Sequence, residues 1–209
     1  MKKFVFATAT LAALSVSSLS TTHAAPTGYQ EMPAGVYQLD NTHASLIWKV
    51  SHLGLSNYTA RFTDFDANVT FDPENPEMSK VTASINPTSI ETDYPNVETK
   101  DFNKKLSDGE DWFNSKTFPE ITFTSTGIKR TGDNKGIMTG NLSFLGVTKP
   151  VSLDVTFNGA FAKQPFSQKP TLGFSASGNL KRSDWGMDTY VPNIGDEVAL
   201  LIEAEFVKN

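Results

Sequence analysis

Gly140-Asn141-Leu142-Ser143-Phe144-Leu145-Gly146-Val147-Thr148-Lys149-Pro150-Val151-Ser152-Leu153-Asp154-Val155-Thr156-Phe157 is the stretch that decides the fold. Leu142 and Phe144 alternate with polar neighbours, and Gly146 to Pro150 supply turn chemistry. Val151, Leu153, Val155 and Phe157 then alternate with Ser152, Asp154 and Thr156. Successive side chains of a strand point to opposite sides, so period-two alternation on both sides of a turn predicts an antiparallel hairpin with one apolar face. That face must be covered, and what covers it is the functional question.

The same pattern extends outward. Upstream, Ala44, Leu46, Trp48, Val50 and His52 share one face, and Ser45, Ile47, Lys49 and Ser51 share the other. Phe62 and Phe65 differ in parity, which predicts a bulge before Val69 and Phe71. Val81, Ala83 and Ile85 alternate up to Pro87, and Ile121, Phe123 and Ser125 alternate up to a turn at residues 131–136. Downstream of a loop at residues 160–171, Phe174, Ala176, Gly178 and Leu180 form one strand face, and Val198, Leu200, Ile202, Ala204 and Phe206 form the last. Residues 93–115 differ: they are rich in Asp, Glu, Asn and Lys and do not alternate. They predict a helix near 96–106 and a second, short one near 109–115 capped by Asp108. Roughly eight strands joined by short turns, with one helical crossover, define an all-β domain that is a sandwich or a closed barrel. A barrel of that size is filled by its own side chains or holds one small ligand.

The start of the chain reads as an address. Lys2 and Lys3 precede an apolar run from Phe4 to Leu19, and Thr22-His23-Ala24 fits a small-residue cleavage site. Residues 1–24 are thus expected to be a cleaved signal peptide, followed by an irregular lead-in at 25–35 and the barrel domain at 36–209. The run is too short to be a stable membrane span, and nothing later is apolar for long enough to cross as a helix. A bacterial periplasm or secretion is the expected destination. Without residues 1–24 the chain carries 16 basic and 23 acidic residues, a net charge of −7. That balance argues against a nucleic-acid partner, which needs a basic face. There is no cysteine, so stability must come from the core.

Chemistry-bearing motifs are sparse. His43 and His52 are nine positions apart and so face opposite sides of one strand, which excludes a same-face metal pair; with no cysteine, no metal site and no cofactor are expected. Asp64-Phe65-Asp66-Ala67-Asn68 opens like a calcium loop but has Val69 and Asn75 where Gly and Glu are required. There is no Gly-x-Ser-x-Gly elbow and no phosphate-cradling Gly-rich loop with Lys. The unusual feature is 15 phenylalanines, mostly on single strand faces, which either pack a core or line a cavity for an elongated apolar ligand. A membrane-spanning barrel would need an apolar exterior and a polar lumen, and the short strands and Pro-bearing turns argue against it. Arg182-Ser183-Asp184-Trp185-Gly186 reads as a corner between two strands, with Arg182 paired to a carboxylate and Trp185 plugging a barrel end.

Taken in order, Asp40-Asn41-Thr42-His43-Ala44-Ser45, Val50-Ser51-His52-Leu53-Gly54, Phe62 with Phe65, and Phe113 with Phe118-Pro119-Glu120-Ile121-Thr122-Phe123 resemble the YceI-like family. Gly140-Asn141-Leu142, Gly146-Val147-Thr148-Lys149-Pro150 and Arg182-Ser183-Asp184-Trp185-Gly186 extend the resemblance from about Tyr37 to Phe206. It implies a lipocalin-like antiparallel β-barrel around an apolar tunnel that binds a long-chain isoprenoid lipid, such as a polyprenyl phosphate or isoprenoid quinone, or a similar acyl chain. It also implies a homodimer, with no catalytic residue. By analogy Trp48, Val50, Phe62, Phe71, Ile85, Phe123, Leu142, Phe144, Val155, Phe157 and Phe174 line the tunnel, Trp185 belongs to the ligand site, and His52 and Arg182 meet the head group. Ala60 and Lys105 depart from the Gly and His common in the family at those places. Two other readings stand beside the carrier: an enzyme acting on such a lipid with His43 or His52 as base, and a barrel filled by its own side chains that serves as an interaction module.

Overall fold

The computed structural model describes residues 27–96 and 98–209, so the expected signal peptide lies outside the described residues. A 3₁₀ turn at Tyr29–Glu31 leads into strands β1 (Gly35–His52), β2 (Ser56–Phe62), β3 (Phe65–Phe71), β4 (Lys80–Ile85) and β5 (Ile90–Glu91). Helix α1 (Phe102–Asp108) follows, then β6 (Ile121–Arg130), β7 (Lys135–Phe144), β8 (Val147–Phe161), β9 (Thr171–Lys181) and β10 (Ile194–Val207). All pairings are antiparallel, and β1 pairs with β10 to close the ring. At the seam Leu46 lies opposite Ile202, Trp48 opposite Leu200 and Val50 opposite Val198.

Ten strands make eight staves. The chain 56–71 runs antiparallel to β1 throughout: its first half, β2, pairs with residues 46–52, and its second half, β3, with residues 35–38. The parity change between Phe62 and Phe65 is therefore a break at Thr63-Asp64 within one bent stave. A matching break at residues 86–89 divides β4 from β5, and the two are tied together. Thr63 N–H donates to the Ser89 carbonyl at 3.1 Å, and Asn86 N–H donates to the Asp64 carbonyl at 3.0 Å. The result is a closed, eight-membered antiparallel barrel with one helix: alternation left a sandwich or a barrel open, and the barrel is the one the resemblance implies.

The helical segment corrects the sequence reading. α1 begins only at Phe102, because the Asp101 carboxylate accepts from Lys104 N–H at 2.8 Å and so caps it there. No second helix forms at 109–115. Phe113 N–H donates to the Leu106 carbonyl and Ser115 N–H to the Ser107 carbonyl, which folds these residues back over α1. Asp108 is not a cap but the last residue of α1, where it takes Lys104 Nζ at 2.6 Å and Lys116 Nζ at 3.5 Å.

Inward and outward faces differ as the alternation demands. Leu142 and Phe144 of β7 and Leu153 and Val155 of β8 border the interior, while Asn141, Ser143, Ser152, Asp154 and Thr156 do not. An apolar interior is the reverse of a water-filled outer-membrane barrel. Among the described residues no helix is long and apolar enough to cross a membrane.

Candidate functional site: a tunnel along the barrel axis

The barrel is hollow. Its interior holds a cavity of about 370 Å³, in the range of small-molecule sites, and the wall is almost wholly hydrocarbon. The registers place its two ends. One end carries α1, the β7–β8 turn and residues 182–193; the other carries the 3₁₀ turn at Tyr29–Glu31, the β3–β4 connection, the β6–β7 turn and the loop between β8 and β9.

At the helix end the tunnel is closed by buried or half-buried side chains: Leu106 of α1, Trp112 and Phe113 from the turns after it, and Met187. Phe113 sits edge-on to Phe62 at 5.4 Å between ring centres and lies 5.7 Å from Phe144, so one ring ties the helical crossover to two staves. At the opposite end the lining runs out to exposed polar groups, Arg130, Asp133, Asn134 and Lys135. This end is the mouth. There the Arg130 guanidinium lies over the Tyr29 ring at 5.6 Å, and its backbone N–H donates to Glu77 Oε1 at 2.7 Å.

The inward residues that the resemblance assigns to the tunnel fall on the wall. Trp48 and Val50 of β1, Phe62 of β2, Phe71 of β3 and Ile85 of β4 border the cavity, as do Phe123 of β6 and Leu142 and Phe144 of β7. Val155 and Phe157 of β8 and Phe174 of β9 complete them. Trp48 stands out, because its indole Nε1–H is shielded from solvent and has no hydrogen-bond partner. It is a free donor in an otherwise apolar wall, and such groups call for an explanation.

The three residues named for a head group or corner behave differently. His52 is exposed at the end of β1 and is not part of the lining, so its expected inward direction is corrected: the strand ends there, beside Ser56 and Ile194, and its face no longer has a barrel beneath it. Trp185 is buried but packs behind the wall, with its Nε1–H donating to the Leu142 carbonyl at 3.3 Å. Arg182 borders the cavity and is only 3% exposed, yet it is not paired to a carboxylate. Its Nε donates to the Gly195 carbonyl at 2.8 Å, Nη1 to Met187 at 2.9 Å, and Nη2 to Thr189 at 2.8 Å and Ile194 at 3.0 Å. Four of its five N–H groups are thus spent on backbone. Burial pulls its pKa below the usual guanidinium value, against the opposing charges of Asp196 and Asp188. Arg182 is a corner brace, and little of it is left for a ligand.

Outside the barrel, Asp40 to His43 form a bulge. Leu39 pairs with Phe206 but Ala44 with Ala204, so the intervening residues loop out of register. Asp40 Oδ1 accepts from Thr42 N–H at 3.0 Å and from Thr42 Oγ1 at 2.6 Å, and Asp40 Oδ2 lies 2.9 Å from His43 Nδ1. The Thr42 and His43 hydrogen bonds hold the Asp40 carboxyl below its ordinary value, and Asp40 in turn raises His43. With Glu205 these groups lie within 4.8 Å of one another and offer one nitrogen and two oxygens as ligands to a metal. His43 faces solvent, and neither histidine reaches the tunnel.

Leu106, Trp112 and Phe113 were not found by alternation. Their signal is an apolar trio inside a charged segment, which a strand template does not register.

A closed antiparallel barrel with a hollow, apolar interior defines the class of barrels built to hold a small ligand. Residues 37–206 match the YceI-like domain, and the chain belongs to that family. Protein YceI of Salmonella arizonae is 37% identical over 177 residues, covering 84% of this chain and 88% of the relative. The solved Campylobacter jejuni YCEI protein is 31% identical and superposes with a TM-score of 0.66 over 77% of this chain and 91% of that one. A polyisoprenoid binding domain from Saccharophagus degradans, implicated in plant cell wall breakdown, shares the fold at 14% identity, with a TM-score of 0.61 over 85% of this chain and 100% of that one.

Proposed function

We propose that this protein encloses one long-chain isoprenoid lipid, a polyprenyl phosphate or isoprenoid quinone, or a similar acyl chain, and carries it through the periplasm. The observation that carries the reading is the hollow apolar tunnel running from the Arg130 rim to Trp112. Each methylene moved from water into such a wall contributes roughly 0.8 kcal/mol, so a few prenyl units supply ample affinity without a charge contact. The name of the Saccharophagus domain supports the same ligand class. The hollow interior favours a carrier over a barrel filled by its own side chains, and neither His43 nor His52, the bases named for the enzymatic reading, borders the tunnel. The head group is assigned to the mouth, where Arg130 and Lys135 are exposed, rather than to Arg182 and His52. The homodimer is kept as part of this reading, to be checked by light scattering.

Native mass spectrometry of the protein, followed by extraction and lipid identification, tests the proposal. A stoichiometric prenyl or quinone species supports it. Ala176→Trp narrows the tunnel where Ala176 lies between Val155 and Ile202 and should abolish loading in a folded barrel. An empty protein that refuses added polyprenyl lipids would sink the carrier.

A further inference from the structure

The mouth end of the barrel combines two features. The first is exposed hydrocarbon held in a fixed shape. The loop between β8 and β9 ends in Phe166, which is 92% exposed. A phenyl ring so fully in water is not a core residue that has slipped out, because the loop around it is ordered by its own bonds. Gln164 Oε1 accepts from the N–H groups of Phe166 and Ser167, both at 2.7 Å, and Gln168 N–H donates to the Gln164 carbonyl at 2.8 Å. Met78, 69% exposed, stands on the β3–β4 connection at the same end, two residues from Pro76 of the tunnel lining.

The second is charge. The segments forming the mouth end (27–35, 71–81, 129–136, 161–171 and 207–209) carry seven lysines and arginines against five acids. The remainder of the described chain carries nine against eighteen. A protein that is strongly acidic overall therefore turns its one net-basic end toward whatever meets the mouth. Within the Phe166 loop, Lys163 and Lys169 flank the ring with no acid between them. An aromatic anchor between lysines, beside a second apolar side chain, matches the requirements of a bilayer interface. There a ring sits at head-group level and lysines meet anionic lipid.

We propose that the mouth end docks on an anionic phospholipid bilayer, with Phe166 and Met78 inserted and Lys163 and Lys169 on the head groups, so that a lipid passes between membrane and tunnel without crossing water. The occupant is the bilayer rather than a second protein because the exposed ring stands on a loop tip between Lys163 and Lys169, at the end of the barrel whose segments carry seven basic residues against five acids. This inference rests on the lipid-carrying reading and adds where loading happens.

The test is sedimentation of the whole protein with vesicles of phosphatidylethanolamine and phosphatidylglycerol, with pure phosphatidylcholine vesicles for comparison. Phe166→Ser should weaken partitioning about tenfold, the effect of leaving one phenyl in water. Lys163→Glu with Lys169→Glu should weaken it at least about fivefold per lysine on the anionic vesicles alone. Leu55→Ser, which removes an 84% exposed side chain at the helix end, should change nothing. The replaced groups lie on the surface, so folding is checked by circular dichroism and should be unaltered. Phe166→Trp gives a second readout, a blue-shifted emission when vesicles are added. Wild-type protein that does not sediment, or Phe166 and lysine variants that sediment like wild type, would overturn the docking surface, as would a loss confined to Leu55→Ser. Lipid content by native mass spectrometry keeps the two claims apart. Lipid-loaded protein with vesicle binding indifferent to Phe166 refutes the docking alone, and Phe166-dependent binding by a protein that never takes up lipid refutes the carrier alone.

Discussion

Replacing Arg182 separates a structural brace from a ligand contact. Arg182→Met keeps the length of the stem and removes every donor. The carbonyls of Met187, Thr189, Ile194 and Gly195 then lose their partners. Leaving a buried carbonyl unsatisfied costs about 1–3 kcal/mol. Thr189, Ile194 and Gly195 are only half-buried, so water can reach some of them and the lower figure applies. Four carbonyls at about 1 kcal/mol each give a loss of about 4 kcal/mol. For a domain of this size that corresponds to a fall in Tm of about 8–16 °C. Arg182→Lys keeps the charge but replaces a rigid fork of five donors with one ammonium, and should lie between the two. Thermal unfolding by circular dichroism reads the stability, and lipid content of each variant at low temperature reads the ligand role. The reasoning predicts a large fall in Tm with loading retained wherever the variant is folded. An Arg182→Met protein that melts within about 3 °C of wild type yet has lost its lipid would refute it and restore Arg182 to the head group.

Three further outcomes follow from the geometry. Gly140→Ala should destabilise by about 1–3 kcal/mol through overpacking, because the added methyl meets the Phe123 ring and comes within 2.7 Å of the Thr124 carbonyl; chemical denaturation checks it. Trp48→Phe removes the unpartnered indole N–H and should leave stability unchanged or slightly higher, while weakening loading only of ligands that bring an oxygen to that depth of the tunnel, as competition between a quinone and a plain hydrocarbon chain would show. His43 should titrate above its ordinary value of 6.5 in an NMR pH series, and Asp40→Asn should lower it, leaving only the smaller upward pull of the Glu205 charge. The sign follows from both partners. Stability from the raised His43 is fully present below 6.5 and is lost as pH rises through its folded value. Stability from the lowered Asp40 is present above 3.8 and is lost as pH falls through its folded value. The pair therefore helps most between the two.

Alternation made the tunnel wall legible because a strand has a strict period of two. Once Leu142 and Phe144 are placed inside, Val151 to Phe157 on the next stave follow, and the same rule placed Trp48 and Val50 correctly. It failed at strand ends. His52 keeps the parity of Trp48 but has no barrel beneath it, and parity carries no information about where a sheet stops. It does not apply to Arg182 and Trp185, which read as a corner in the sequence, because their positions depend on a turn rather than a strand. Nothing in the sequence says that an arginine's partners will be four main-chain carbonyls. The closure of the helix end was illegible for a different reason. Leu106, Trp112 and Phe113 belong to a segment ordered by backbone bonds folding back over α1, and neither a helical nor a strand period describes it. The mouth is written in loops, where composition shows charge but not direction.

The seam between β1 and β10 has a consequence for how the molecule is made. Leu46 and Ile202, opposite each other there, lie at nearly the two ends of the described chain. The ring cannot close until the last strand exists, and contacts of such sequence separation must overcome the loop entropy of almost the whole domain before they stabilise anything. Until that moment both seam strands present free edges and the future tunnel is an open apolar trough, the state most exposed to aggregation. Folding is thus expected to be slow and all-or-none, with an emerging chain dependent on protection until Phe206 and Val207 arrive. Removal of β10 should yield no partial barrel but an insoluble sheet.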